Sequence, residues 1–208
     1  MPLATHQELN ELIAFCPDLR SWAADAEACD PAALIELYER LLPEVEARMW
    51  QAEPAMFDGW LARYQALHRE MQALIDGGCA RAQRHFLLAV TVADRPAHVR
   101  TCLASILAQC EVYGYGGRDA SGRFAKVTVV LAEDSREPDN VAAHRALAAE
   151  FDARGLRVIH FDLPEQYALL YALPAAQRAR LGRLLTEQPA ERFWRKGQAA
   201  NRNLAYLK

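Results

Sequence analysis

Two segments break the helical rhythm of this chain. Residues 86–93 (Phe-Leu-Leu-Ala-Val-Thr-Val-Ala) and 126–132 (Lys-Val-Thr-Val-Val-Leu-Ala) are near-continuous apolar runs. Such runs are expected of strands buried on both faces of a parallel sheet. The first runs into Asp94-Arg95-Pro96 and the second into Glu133-Asp134-Ser135. Helical spacing follows each one: Val99, Cys102, Leu103, Ile106 and Leu107 after Pro96, then Val141, Leu147 and Phe151 from about Asp139. A third strand is predicted over 156–161, just past Gly155 and ending in Asp162. This β-α-β-α-β order, with right-handed crossovers, predicts parallel neighbours. Ligands of such sheets bind at the carboxyl ends of the strands. Thr91, Asp94, Arg95, Glu133 and Asp134 are therefore expected to gather in one crevice.

Before residue 85 the pattern is helical throughout. Thr5 to Glu8 forms a capping box ahead of Leu9, Leu12 and Ile13, and Pro17 ends that helix. Asp30-Pro31 is a second start, with Asp as cap and Pro in the first turn. Leu34, Leu37, Tyr38, Leu41 and Leu42 mark its apolar face. A third helix begins near Pro54, carries Met56, Trp60, Tyr64, Leu67, Met71, Leu74 and Ile75, and stops at Gly77-Gly78. Aromatics at helical spacing pack inward, so Trp22, Trp50 and Trp60 are expected in the core. After the third strand the chain is helical again, broken at Pro164, Pro174 and Pro189. Two parts follow: a helical segment, 1–84, and an α/β domain, 85–208, with a helical insert near 164–190. Arg178, Arg180 and Arg183 of the insert are expected on a solvated face.

Composition narrows the classes. The chain has 208 residues and a formal net charge of −3, which gives no push toward nucleic acid or anionic lipid. No apolar run approaches the roughly 20 residues of a membrane span, and no signal peptide is evident. The five cysteines are odd in number and include no C-x-x-C pair, which predicts reduced thiols in a cytoplasmic protein, with Cys102 in the core. The histidines form no H-x-x-H pair. No G-x-G-x-x-G follows the first strand and no P-loop is present. The glycines at 114, 116 and 117 precede a strand and read as a surface loop.

An acid at a strand end can accept a hydrogen bond from a base N–H or a ribose hydroxyl, and it can equally cap the next helix. Physics alone leaves Asp94, Glu133 and Asp134 open between those roles.

Taken together, "AVTVADRPAHVRTCLASILAQ", "VTVVLAEDS" and "GQAANRNLAYL" resemble the N-terminal half of family 2 glycosyltransferases of the GT-A fold. The resemblance covers residues 86–163 and 196–207. It implies a Rossmann-like parallel sheet and binding of a nucleotide-diphosphate sugar, the UDP type favoured. By position it implies that Thr91, Ala93, Asp94 and Arg95 line the nucleotide pocket. Asp134 would accept from the base N–H, with Glu133 beside it. Arg202 matches the arginine of the later helix and would face the diphosphate, with Lys196 and Arg195 as alternatives. The family's D-x-D metal motif and catalytic base would lie after Lys208. The resemblance therefore implies a divalent metal, Mn or Mg, in a full-length enzyme only, with no metal ligand and no catalytic residue in this chain. The expectation is the N-terminal, donor-binding portion of a hexosyltransferase-like enzyme. The alternative is a non-catalytic binding or assembly module whose N-terminal helices dock a partner or a second copy. A nucleotidyltransferase would need a glycine-rich, basic loop after the first strand, which Asp94-Arg95-Pro96-Ala97 does not supply.

Overall fold

A computed structural model describes residues 7–22, 30–78, 84–182, 184–186 and 189–208. Thr5, Cys29, Cys79 and Arg183, and the side chain of Arg195, lie outside the described residues. The chain divides into two compact units: Met1–Gln83 with Glu111–Gly117, and Arg84–Cys110 with Arg118–Lys208.

The first unit is helical. It contains α1 (Gln7–Phe15), a short 3-10 turn (Pro17–Leu19), α2 (Pro31–Gln51) and α3 (Pro54–Asp76). Asp30 caps α2, accepting the Ala33 N–H at 2.8 Å. Leu9, Leu12, Leu34, Leu37, Tyr38, Leu41, Val45 and Leu67 form the core. The apolar stripe of α2 runs on past Pro43 through Val45 and Met49. At the end of α3, Gly78 takes a φ of +110°. Trp60 is buried and Trp22 packs against the core, but Trp50 is 69% exposed. Trp50 lies next to the last residue of α2, where the ring reaches Phe57 of α3 rather than the interior.

The second unit is α/β. Its order is β1 (Phe86–Val92), α4 (Pro96–Tyr113), β2 (Val127–Glu133), α5 (Pro138–Ala153), β3 (Arg157–Phe161), α6 (Leu163–Ala172), α7 (Ala175–Leu181), a 3-10 turn (Ala190–Arg195) and α8 (Gly197–Ala205). The last residues of α4 belong to the helical unit. The three strands are parallel in the order β1-β2-β3. Thr91, Ala132 and Phe161 stand abreast, and Val92 pairs with Glu133. β2 is buried throughout. β1 is not: Phe86, Leu87 and Leu88 are exposed, because β1 is at the sheet edge and has a neighbour on one side only.

Val130, Ala132 and Phe161 pack with Ala205 of α8, so α8 covers one face of the sheet. The helical insert packs on the same helix through Leu170, Leu185, Phe193 and Leu204. Arg178 is not simply solvated: it donates to the Tyr171 and Leu173 carbonyls and lies over the Tyr171 ring. Among the described residues no helix is long and apolar enough to cross a membrane.

Candidate functional site

The carboxyl ends of β1 and β2 are tied together by Asp94. Its φ is +48°, in the left-handed region, which Asp tolerates better than most residues. Its N–H donates to Ser135 Oγ at 2.8 Å. Its carboxylate accepts the Arg136 and Glu137 N–H groups and the Asn140 amide at 3.0–3.3 Å. Burial alone would raise its pKa, but these donors outweigh burial and hold it below the ordinary aspartate value. Asp94 thus fastens the turn after β1 to the turn after β2 and does not cap its own helix.

Glu133 and Asp134 are adjacent in sequence and engaged in different places. Successive strand residues alternate faces. Glu133 is fully buried. Its Oε2 receives His144 at 2.9 Å and His160 at 3.1 Å, and its Oε1 receives the Asp134 and Ser135 N–H groups. Burial would push its pKa up, yet the hydrogen bonds from His144, His160 and Ser135 prevail and hold it far below the usual carboxylate range. Glu133 shapes the end of β2 from beneath. The Glu133 carbonyl accepts from Gln166, which also holds the Phe161 carbonyl and so joins the ends of β2 and β3.

Asp134 faces the other way and meets Lys196. The Lys196 side chain is fully buried. Its Nζ reaches Asp134 Oδ1 and the Glu133 carbonyl at 2.9 Å, and the Phe193 carbonyl at 3.4 Å. Three acceptors satisfy the three donors of an ammonium group. Asp134 Oδ2 accepts the Gly197 N–H at 3.2 Å. Gly197 begins α8 with a φ of +79°, a conformation that favours glycine. Burial pushes the Asp134 pKa up, with Lys196 opposing, and pushes the Lys196 pKa down, with Asp134 opposing.

Beside this ion pair lies a cavity of about 580 Å³. Thr91, Ala93, Asp94, Arg95 and Asp134 all line it, so the structure brings these five sequence-predicted residues together. Glu133, Lys196 and Arg202 do not line it. Glu133 is spent on its histidines, Lys196 is enclosed behind Asp134, and Arg202 is exposed on α8. Arg95 and His98, both exposed, are the lining residues able to carry positive charge. Cys102, read as core, is half-buried and lines the cavity, because the face of α4 that bears His98, Val99 and Cys102 forms one wall.

Asn201 is the residue the sequence reading passed over. It lies within the quoted Gly197–Asn203 stretch, between Ala200 and Arg202. It is fully buried and lines the cavity. Its Nδ2 donates to the Ala132 carbonyl at 2.7 Å, which fixes the amide orientation. Its Oδ1 is then a buried acceptor with no donor. Its legible signal was a polar residue one turn before Leu204 and Ala205 on the buried stripe of α8. His144 and Gln166 carried no comparable signal.

The cavity combines apolar walls from Val90, Val92 and Val99 with the acids Asp94 and Asp134, the amide residues Gln198 and Asn201, and the cation Arg95. Apolar walls with a few placed polar groups are the usual make-up of a small-molecule pocket. No metal-holding group of three or more His, Cys, Asp or Glu side chains is present among the described residues. No protein-family model, no curated protein and no solved structure matches this chain.

Proposed function

We propose that the α/β unit binds a nucleotide-diphosphate sugar, as the donor-binding part of a glycosyltransferase of the GT-A type. The observation that carries this reading is the convergence of Thr91, Ala93, Asp94, Arg95 and Asp134 on one cavity at the carboxyl ends of parallel strands. Asp134 offers acceptors to base N–H groups. Each Asp134 oxygen already holds one donor and has capacity for a second. Arg95, at the start of α4, supplies the charge that a diphosphate requires. Lys196 takes the role of a positioning residue that aims Asp134. Glu133 holds the strand end from which Asp134 projects.

The residues present do not fit a catalytic metal. Both acids of the cavity are occupied by N–H donors or an ammonium group, which is the wrong surrounding for a cation. The part assigned to these residues is to bind and orient the donor.

Calorimetric titration with UDP tests the reading. The Arg95 carbonyl accepts the Val99 N–H, but its exposed guanidinium has no hydrogen-bond or ion-pair partner among the described residues, so Arg95→Gln should leave the fold intact. It should weaken UDP binding about tenfold or more, the scale of a lost charge-assisted bond. Binding of uridine should be unaffected. Unaltered UDP affinity in this variant would remove the diphosphate assignment.

A second reading has one observation in its favour. Trp50 and Met56 are exposed beside Phe57 at the α2–α3 turn, which suits self-association of the helical unit. Sedimentation of Trp50→Glu against the parent chain tests it: a dimer that becomes monomeric supports assembly, and identical behaviour removes it.

A further inference from the structure

At the amino ends of β2 and β3, opposite the cavity, a second groove of about 440 Å³ is lined by Arg118, Arg123, Arg154 and Asp152. Three guanidinium groups meet one carboxylate there, in a chain whose net charge is negative. Each arginine is already held in place. Arg118 lies 4.0 Å over the Phe124 ring and donates once, to the Gly122 carbonyl at 2.6 Å. Arg123 grips Asp152 through two nitrogens and reaches Ser121 Oγ. Arg154 lies 4.6 Å over the Phe151 ring, with Glu150 at 4.0 Å. Asp119 is turned away into its own loop, where Oδ1 accepts from Ser121 and from the Arg123 N–H.

The backbone is built around Arg118. Gly155 has a φ of +97°, and a Cβ there would stand 2.4 Å from Arg118 Nη1. The Phe124 N–H donates to the Gly155 carbonyl at 2.9 Å, which fastens the 118–124 loop to the turn before β3. A side chain at residue 155 would displace the Arg118 guanidinium and crowd the Gly122 carbonyl, 3.0 Å from such a Cβ.

We infer that this groove is a second anion site, which takes the phosphate group of a small soluble molecule. Of five N–H donors on Arg118, one is used. Arg123 is paired with Asp152 and Arg154 has Glu150 at 4.0 Å, so the charge the groove offers an anion is that of Arg118, with Arg154 beside it. A phosphate monoester carries close to two negative charges at neutral pH. Guanidinium forks match its oxygens. The Arg118 and Arg154 guanidiniums lie over the Phe124 and Phe151 rings, which reduces the rotamer freedom lost on binding.

The test is an NMR titration of the full, ¹⁵N-labelled chain with inorganic phosphate, at ionic strength held constant with sodium chloride. Saturable shifts are expected at residues 118–123 and 153–155. Arg118→Gln should weaken binding about tenfold or more. Arg154→Gln, which leaves the Phe124 stack and the Gly122 bond alone, should weaken it as well with an unchanged melting temperature. Arg95→Gln should leave this titration unmoved, which separates the groove from the cavity. Linear, unsaturated shifts, or affinity unchanged in both groove variants, would overturn the site. Vesicles of phosphatidic acid form the second arm. Arg118-dependent retention on them, with no saturable response to inorganic phosphate, would overturn the soluble source.

Discussion

Lys196 carries its ammonium group where water does not reach, against three acceptors and over the Phe193 ring. Removing one member of a buried pair leaves the other uncompensated, at a cost of about 3–5 kcal/mol. Lys196→Met should lower unfolding free energy by about that amount in urea melts, and Lys196→Met with Asp134→Leu should recover part of the loss. Full additivity in that cycle would contradict the coupling drawn from the 2.9 Å contact. Glu133 gives a pH signature. Its folded pKa lies well below the unfolded one, so its contribution is present above the ordinary glutamate value, near 4.3, and is lost as pH falls toward the folded value. Glu133→Gln should be about 2 kcal/mol less stable at pH 7. That gap should narrow in acid; a gap independent of pH would contradict the assignment. The strand ends in the sequence located Thr91, Asp94 and Asp134. The acids at 133 and 134 read there as a matched pair, although period-two alternation already sends neighbouring side chains to opposite faces. The histidines that occupy Glu133 come from α5 and β3, a juxtaposition no local pattern carries.

Among the elements, the two that set the cavity are the turn after β1 and the start of α8. Asp94 and Gly197 both sit at positive φ there. No atom lies within 4 Å of a Cβ built on Gly197, so a substitution there meets strain without a clash. Gly197→Ala should destabilise the chain by about 1–2 kcal/mol. It should also weaken ligand binding, by moving the N–H that holds Asp134. An alanine variant with unchanged melting and affinity would show that this conformation is dispensable. Capping, by contrast, was local enough to read directly: Asp30-Pro31 starts α2 and Gly78 follows the end of α3. The exposure of β1 was not legible, because an apolar run looks the same at the edge and at the centre of a sheet. Only strand order, a property of the whole unit, separates β1 from β2.

At the scale of the molecule, a helical unit and a parallel α/β unit share one chain. The change from a 3.6 period to continuous apolar runs near residue 85 lies close to one boundary between them, but it carries no sign that Glu111–Gly117 joins the helical unit. The cavity lies at the carboxyl ends of the strands and the arginine groove at their amino ends. The central claim is that the carboxyl-end cavity holds a nucleoside diphosphate with Arg95 on its phosphates. Calorimetry of the parent chain and Arg95→Gln, each with UDP and with uridine, tests it most directly. The parent should bind UDP more tightly than uridine, and Arg95→Gln should lose about tenfold for UDP alone. Equal affinity of both chains for UDP, or no UDP binding by the parent, would contradict it.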